Sequence, residues 1–141
     1  ATVDTLPGLT VNAGAVQGTG GLWLIDPYDY VIGTTQAATI AGTLNHIAPF
    51  PRRFGIEGGH VTVTGTLDVE RILRIADFAA TEVTVTNGGT VRADDTFIAS
   101  TIGANGSVTI NGAGSSWNGD SVLVGRAGTG SLAITGGGQA N

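Results

Sequence analysis

Val83–Gly138 reads VTVTNGGTVRADDTFIASTIGANGS (83–107), then VTINGAGSSWNGDSVLVGRAGTGS (108–131), then LAITGGG (132–138). Each segment opens on a short strand-like run, at Val83, Val108 and Leu132. A fourth opening, VTVTG, lies upstream at Val61. The openings are therefore spaced by 22, 25 and 24 residues, from 61 to 83, 83 to 108 and 108 to 132. A period of this length marks a repeat architecture.

Within each period apolar residues fall in three places. The first holds Val61 and Val63, Val83 and Val85, Val108 and Ile110, Leu132 and Ile134. The second holds Leu67, Val91 and Trp117. The third is read as Leu73 and Ile75, Phe97 and Ala99, Val122 and Val124. In each strand the inward candidates are two residues apart, with Thr or another polar residue often between them, which is strand periodicity. Glycine-rich joints separate the strands: Asn87-Gly88-Gly89, Gly112-Ala113-Gly114 and Gly125 to Gly130. Glycine supplies the positive φ that sharp corners need.

Three strands and glycine corners per period describe one coil of a parallel β-helix. A lone coil orders too many residues for the apolar surface it hides, so coils must stack and share columns. The pattern places Val61, Val83, Val108 and Leu132 in one interior file. It also stacks Val91 near Trp117, and Phe97 near Val122.

The run GSVTINGAGSSWNGDSVLVGRAGTGSLAITGGG (106–138) resembles the repeats of bacterial autotransporter passenger domains and related haemagglutinin-like adhesins. LWLIDPYDY (22–30) is similar to a recurrent segment of the same group. The matching stretches cover about residues 20–33 and 59–138. The resemblance implies a right-handed parallel β-helix (solenoid), displayed or released at the outer surface of a Gram-negative cell. It implies a structural or adhesive role and contacts with host or neighbouring-cell surface molecules, protein or glycan. No translocator barrel and no long passenger follow in the sequence, so the chain is expected to be a piece of such a protein, or a small relative. Other readings are a carbohydrate-active β-helix protein and a phage fibre segment built by trimerisation.

Composition narrows the classes. Gly is 24 of 141 residues but Pro is only 4, without collagen order, and an apolar content of 41% argues against disorder. The charge is −5, all six basic residues are Arg, and the one basic pair is Arg52-Arg53. Nucleic-acid binding is therefore not expected. Cys is absent, which removes disulfides, thiolate nucleophiles and thiolate metal ligands. Residues 1–20 lack the basic start and apolar core of a signal peptide, and a start at Ala1 suggests a processed or excised chain. No apolar run approaches the length of a membrane helix, so membrane insertion of this segment is not expected.

One domain spans 1–141: irregular coils over 1–58 and regular coils over 59–141. Leu9 to Val11, Leu22 to Ile25 and Tyr30 to Ile32 read as strands, and Asp26-Pro27-Tyr28-Asp29 as a type I turn. Gln36 to Leu44 alternates weakly through Ala38, Ile40 and Leu44, and is read as part of an irregular coil. HIAPFPRRFG (46–55) reads as a loop leaving the rod. Its Phe50, Arg52, Arg53 and Phe54 are candidate partner contacts, since Phe and Arg are common interface anchors; the plainer reading tucks the phenylalanines back onto the rod. ERILRIADFAA (70–80) could pass for a helix, but Leu73 and Ile75 align with the third place, which favours a strand. The end near Asn141 is expected to expose strand edges and invite end-to-end self-association.

Catalytic patterns are weak. Polygalacturonases place an Asp pair before a Gly-His-Gly and an Arg-x-Lys. Here His60 precedes Asp94-Asp95, the second Gly is missing and there is no Lys. Asp68, Asp94 and Asp120 recur at 26-residue steps and could form a cation-attracting column, though stacked like charges repel. Gly18–Gly21 and Gly125–Gly130 lack the Lys and helix of a phosphate loop. Asn105-Gly106-Ser107 is a formal glycosylation sequon. Thr62, Thr64, Thr84, Thr86, Thr109 and Thr135 should share one outer face. Such columns resemble those of ice-binding solenoids, though β-propensity alone accounts for them. No catalytic residue, cofactor or metal ligand is assigned.

Overall fold

The structure is a computed structural model and describes residues 22–25, 29–45 and 53–141. The strand expected over 9–11 and most of the turn expected over 26–29 lie outside them. The chain winds as a parallel β-helix, and the strands fall into two hydrogen-bonded sheets. The strands are β1 (Leu22–Ile25), β2 (Asp29–Ile32), β3 (Arg53–Ile56), β4 (His60–Val63), β5 (Thr66–Ile75) and β6 (Thr81–Val85). They continue as β7 (Thr90–Ile98), β8 (Asn105–Asn111), β9 (Ser116–Asn118), β10 (Ser121–Val124), β11 (Thr129–Thr135) and β12 (Gln139–Ala140). Among the described residues one helix, α1 (Thr34–Asn45), interrupts them.

The first sheet stacks β2, β4, β6, β8 and β11, one strand per coil. Its register places Tyr30, Val61, Val83, Val108 and Leu132 in a single file. Val61, Val83 and Val108 are buried, and Leu132 packs against the same core. Val63, Val85 and Ile110 form the parallel file two residues on. This interior line is the one the repeat spacing implies.

The second sheet joins the second and third places. β5 and β7 run through both without a break, and only the last full coil splits into β9 and β10. Leu67, Val91 and Trp117 stack in the second place as expected. Residues 70–75 are strand, not helix. A register shift between Asp68 and Glu70 bends β5. The extra residue, Val69, is buried, and Glu70 takes the left-handed region at φ 64° with its amide donating to Asp68 Oδ1 at 3.2 Å. A bulge of this kind turns a strand around a core without a glycine joint.

The third place needs a correction. Leu73 lies opposite Thr96 and Ile75 opposite Ile98, and Val122 and Val124 continue those files. Thr96 and Ile98 therefore face inward, while Phe97 lies beside Arg74 and Leu123 on the outer surface. Ala99 is buried, but at the corner after the strand, at φ 53°. The inward pair lies one residue earlier than the pattern predicts, and a one-residue step in a strand exchanges the two faces. The reason lies across the interior. Trp117 fills the space from the second place, and its indole Nε1 donates to Thr96 Oγ1 at 3.3 Å. A buried indole N–H needs an acceptor and leaves little room for a Phe beside it.

The irregular coil expected over residues 36–44 is also corrected, because these residues belong to α1. Ala37 and Ile40 are buried three residues apart, which is one face of a helix. The Ala37 amide closes the first turn onto the Gly33 carbonyl at 2.9 Å. In the coil below, the equivalent place holds the first half of β5, and α1 packs on that strand. The helix thus covers an edge that would otherwise present unpaired strand groups.

Corners repeat as faithfully as strands. After the third place the chain turns with φ of 58° at Ala76, 53° at Ala99 and 66° at Gly125. Their amides donate to Ile56, Ile75 and Ile98 carbonyls of the preceding coil. The buried Glu57 carboxylate braces this corner. It accepts the amides of Asp77 (2.8 Å), Phe78 (2.9 Å) and Ala79 (3.1 Å). Asp77 is buried too, and takes Arg74 at 2.7 Å and Ser100 Oγ at 2.6 Å. Thr101 Oγ1 donates to the Asp77 carbonyl. Buried carboxylates are tolerated when their lone pairs are filled in this way.

Candidate functional site

The candidate contact loop resolves into two parts. Phe50 and Arg52 lie outside the described residues, as does 46–52 as a whole. Residues 53–56 are strand β3, so the expected loop over 46–55 ends earlier than its composition suggested. Strand alternation then decides the side chains. Phe54 and Ile56 point inward and are fully buried, while Arg53 is half-buried. Phe54 is a core residue and is withdrawn as a partner contact. It follows the plainer reading, in which a phenylalanine returns to the rod.

The acidic and imidazole candidates do not converge. His60 begins β4 in the first sheet, whereas Asp94 and Asp95 sit within β7 in the second. His60 Nδ1 lies 3.8 Å from Asp29 Oδ1, and Nε2 is 3.2 Å from Thr84 Oγ1. Asp94 faces Arg71 at 3.6 Å. The expected column of Asp68, Asp94 and Asp120 is broken by the bulge. Asp68 lies opposite Arg92, while the Asp120 amide donates to the Asp94 carbonyl. Among the described residues no three His, Asp or Glu side chains are grouped to hold a metal.

The outer surface of the first sheet is the more coherent feature. Thr62, Thr84 and Thr109 occupy one column, with Val31 before them and Ala133 after. Thr135 stacks on Asn111 and donates to its Oδ1 at 3.2 Å. Thr64 and Thr86 follow Val63 and Val85, which are ladder partners. Beside the threonines runs a second column, Asp29, His60, Glu82, Ser107 and Ser131. The repeat carries these residues one position before each residue of the file, so both columns follow from the same register.

At the edge of that face, where the corner meets β6 and β8, lies an open cleft of about 280 Å3. Gly59, Ala80, Thr81, Glu82, Asn105 and Ser107 line it. Sequence reasoning treated Asn105 and Ser107 only as a formal sequon and did not consider Glu82. The available signal was positional: Glu82 and Ser107 immediately precede the file valines Val83 and Val108. Only the winding brings them, with Gly59 of the previous coil, to one spot.

The outer surface of the second sheet mixes charge with apolar groups. Arg74 lies over the Phe97 ring at 5.2 Å while also pairing with Asp77, and Leu123 adjoins Phe97 in the ladder. Val122 and Val124, in the inward register, remain partly exposed on β10, as does Ile134 on β11. No helix among the described residues is long and apolar enough to cross a membrane. Comparison with known proteins adds no relative: no family model, curated protein or solved structure matches the chain.

Proposed function

We propose that this chain is a structural and adhesive segment of a secreted or surface-displayed bacterial rod of the autotransporter passenger type. One observation supports it above the others. An apolar file, Val61 to Val83 to Val108 to Leu132, runs along the coils and turns the columns between its residues outward. A stack of this kind fixes side chains on a rigid frame, so contact orders little that is not already ordered. The partners are molecules of host or neighbouring cells, and the setting is extracellular. The apolar residues Val122, Val124 and Ile134 suit burial by a further coil or by the end of a second copy.

The test is display. The chain is fused ahead of an outer-membrane anchoring barrel, and adhesion of the bacteria to epithelial cells and to one another is counted. Adhesion above that of the anchor alone is expected. Adhesion equal to the anchor, with the chain detected at the surface, would overturn the reading.

A further inference from the structure

The cleft beside β6 and β8 has a chemistry distinct from its surroundings. The other polar side chains at this corner, Thr81 of the lining among them, are spent on the fold. Glu57, Asp77, Ser100, Thr101 and Thr81 all make internal hydrogen bonds, Thr81 accepting from the Gly58 amide and donating to the Ala79 carbonyl. Glu82, Asn105 and Ser107 make no side-chain hydrogen bond among the described residues, although each lines the cleft. Glu82 and Ser107 are ladder partners on successive coils, about 4.8 Å apart along the rod. Asn105 is two residues before Ser107 and shares its face. Gly59 and Ala80 also line the cleft and add almost no side chain.

An exposed aromatic precedes the lining residues in the chain. Phe78 lies two residues before Ala80 and is 77% exposed, yet its backbone is among the best held in the corner. Its amide and that of Ala79 donate to the buried Glu57 carboxylate. An exposed ring on a rigid backbone gains nothing for folding and costs little to immobilise on contact. In the next coil Ile102 occupies the corresponding corner and is 92% exposed.

We propose that this cleft is a subsite for an uncharged, hydroxyl-rich glycan chain lying along the rod axis. The proposal rests on the reading of the chain as a surface-contact rod. A pyranose unit offers hydroxyls in several directions and one apolar C–H face. Glu82 accepts from a pair of hydroxyls, Asn105 both accepts and donates, and Ser107 completes the set one coil away. Phe78 covers the C–H face. Glu82 is the one charged group among the described lining residues, and the chain carries a net charge of −5, so sulfated or carboxylated glycans are repelled. A protein partner would need an apolar centre and roughly 800 Å2 of its own surface, which this small polar cleft does not offer.

The experiment titrates the isotopically labelled full chain with cellotetraose, mannotetraose and chitotetraose, and separately with a heparin tetrasaccharide, following backbone amides by NMR. At least one neutral tetrasaccharide should shift Gly59, Ala80 to Glu82 and Asn105 to Ser107, with a dissociation constant on the order of 1 mM for one subsite. Glu82→Ala and Phe78→Ala should each weaken binding roughly tenfold, as expected for a charged hydrogen-bond acceptor and an aromatic contact. Arg92→Ala, on the other sheet, should leave it unchanged. Silence from all three neutral sugars, or equal shifts with heparin, overturns the proposal. The display assay separates the two readings. Adhesion that persists while none of the neutral sugars binds removes the glycan subsite and keeps the adhesive rod. Sugar binding without adhesion does the reverse.

Discussion

Gly88 and Gly89 are neighbours at one corner, and they are glycine for different reasons. Gly88 has φ +78°, and a methyl group there would meet nothing within 4 Å. Gly89 does not have a positive φ in that range, yet its Cβ would lie 2.2 Å from the Val63 carbonyl oxygen and 3.0 Å from that of Thr86. Gly88→Ala therefore pays only for a left-handed backbone, about 1–2 kcal/mol, less about 0.4–1 kcal/mol regained by restricting the unfolded chain. Gly89→Ala must open the contact by about 1.2 Å to reach ordinary carbon–oxygen separation. The backbone bonds around it tie three coils together. Gly89 donates to Thr86 at 2.9 Å and accepts from Ser116 at 3.0 Å, while Thr90 donates to Gly65 at 2.9 Å. Losing two of them at about 1 kcal/mol each, with about 1–3 kcal/mol of overpacking strain, gives about 3–5 kcal/mol. For a domain of about 5–15 kcal/mol total stability that is a large fraction. Urea unfolding followed by far-ultraviolet circular dichroism measures both variants, provided the slopes agree. Gly88→Asn is the control, since Asn87 already holds φ 54°. A Gly89→Ala protein within 1 kcal/mol of wild type, or more stable than Gly88→Ala, would refute the close-stacked corner.

Two further outcomes test the interior. Ile98→Ala should cost about 2–5 kcal/mol as a buried truncation, whereas Phe97→Ala should cost about 1 kcal/mol or less, chiefly the contact with Arg74; chemical denaturation of the two variants that reversed this order would restore the discarded register. Glu57→Gln keeps the shape but replaces a carboxylate that accepts three amides, and should lower stability by about 1.5–3 kcal/mol. Hydrogen exchange should locate the loss at the Asp77, Phe78 and Ala79 amides, and unchanged protection there would exclude the bracing role.

The repeat was legible because its signals are local. Valines two apart, a threonine between them and glycine at the turn state a strand and a corner wherever they occur, so the file from Val61 to Leu132 could be read without coordinates. The strand over 70–75 was legible for the same reason, through its alignment with the following coils. Thr96 was not. The run TFIA offers Phe97 and Ala99, or Thr96 and Ile98, as its inner pair, and hydrophobicity alone prefers the phenylalanine. Helix α1 was missed because Ala, Ile and Leu spaced through a polar run fit a weak alternation as well as a helical face.

The amino-acid order by itself determined that the chain winds, how long each lap is, and which valines fill the first place. Those are periodic properties of one strand and its turn. Tertiary structure alone decided which face of residues 96–98 turns inward, because the acceptor that Trp117 requires lies across the interior from it. It also decided that α1 covers the edge of β5, and that Gly59, Glu82, Asn105 and Ser107 meet. These residues sit up to 48 positions apart, and only stacking of successive laps closes that separation.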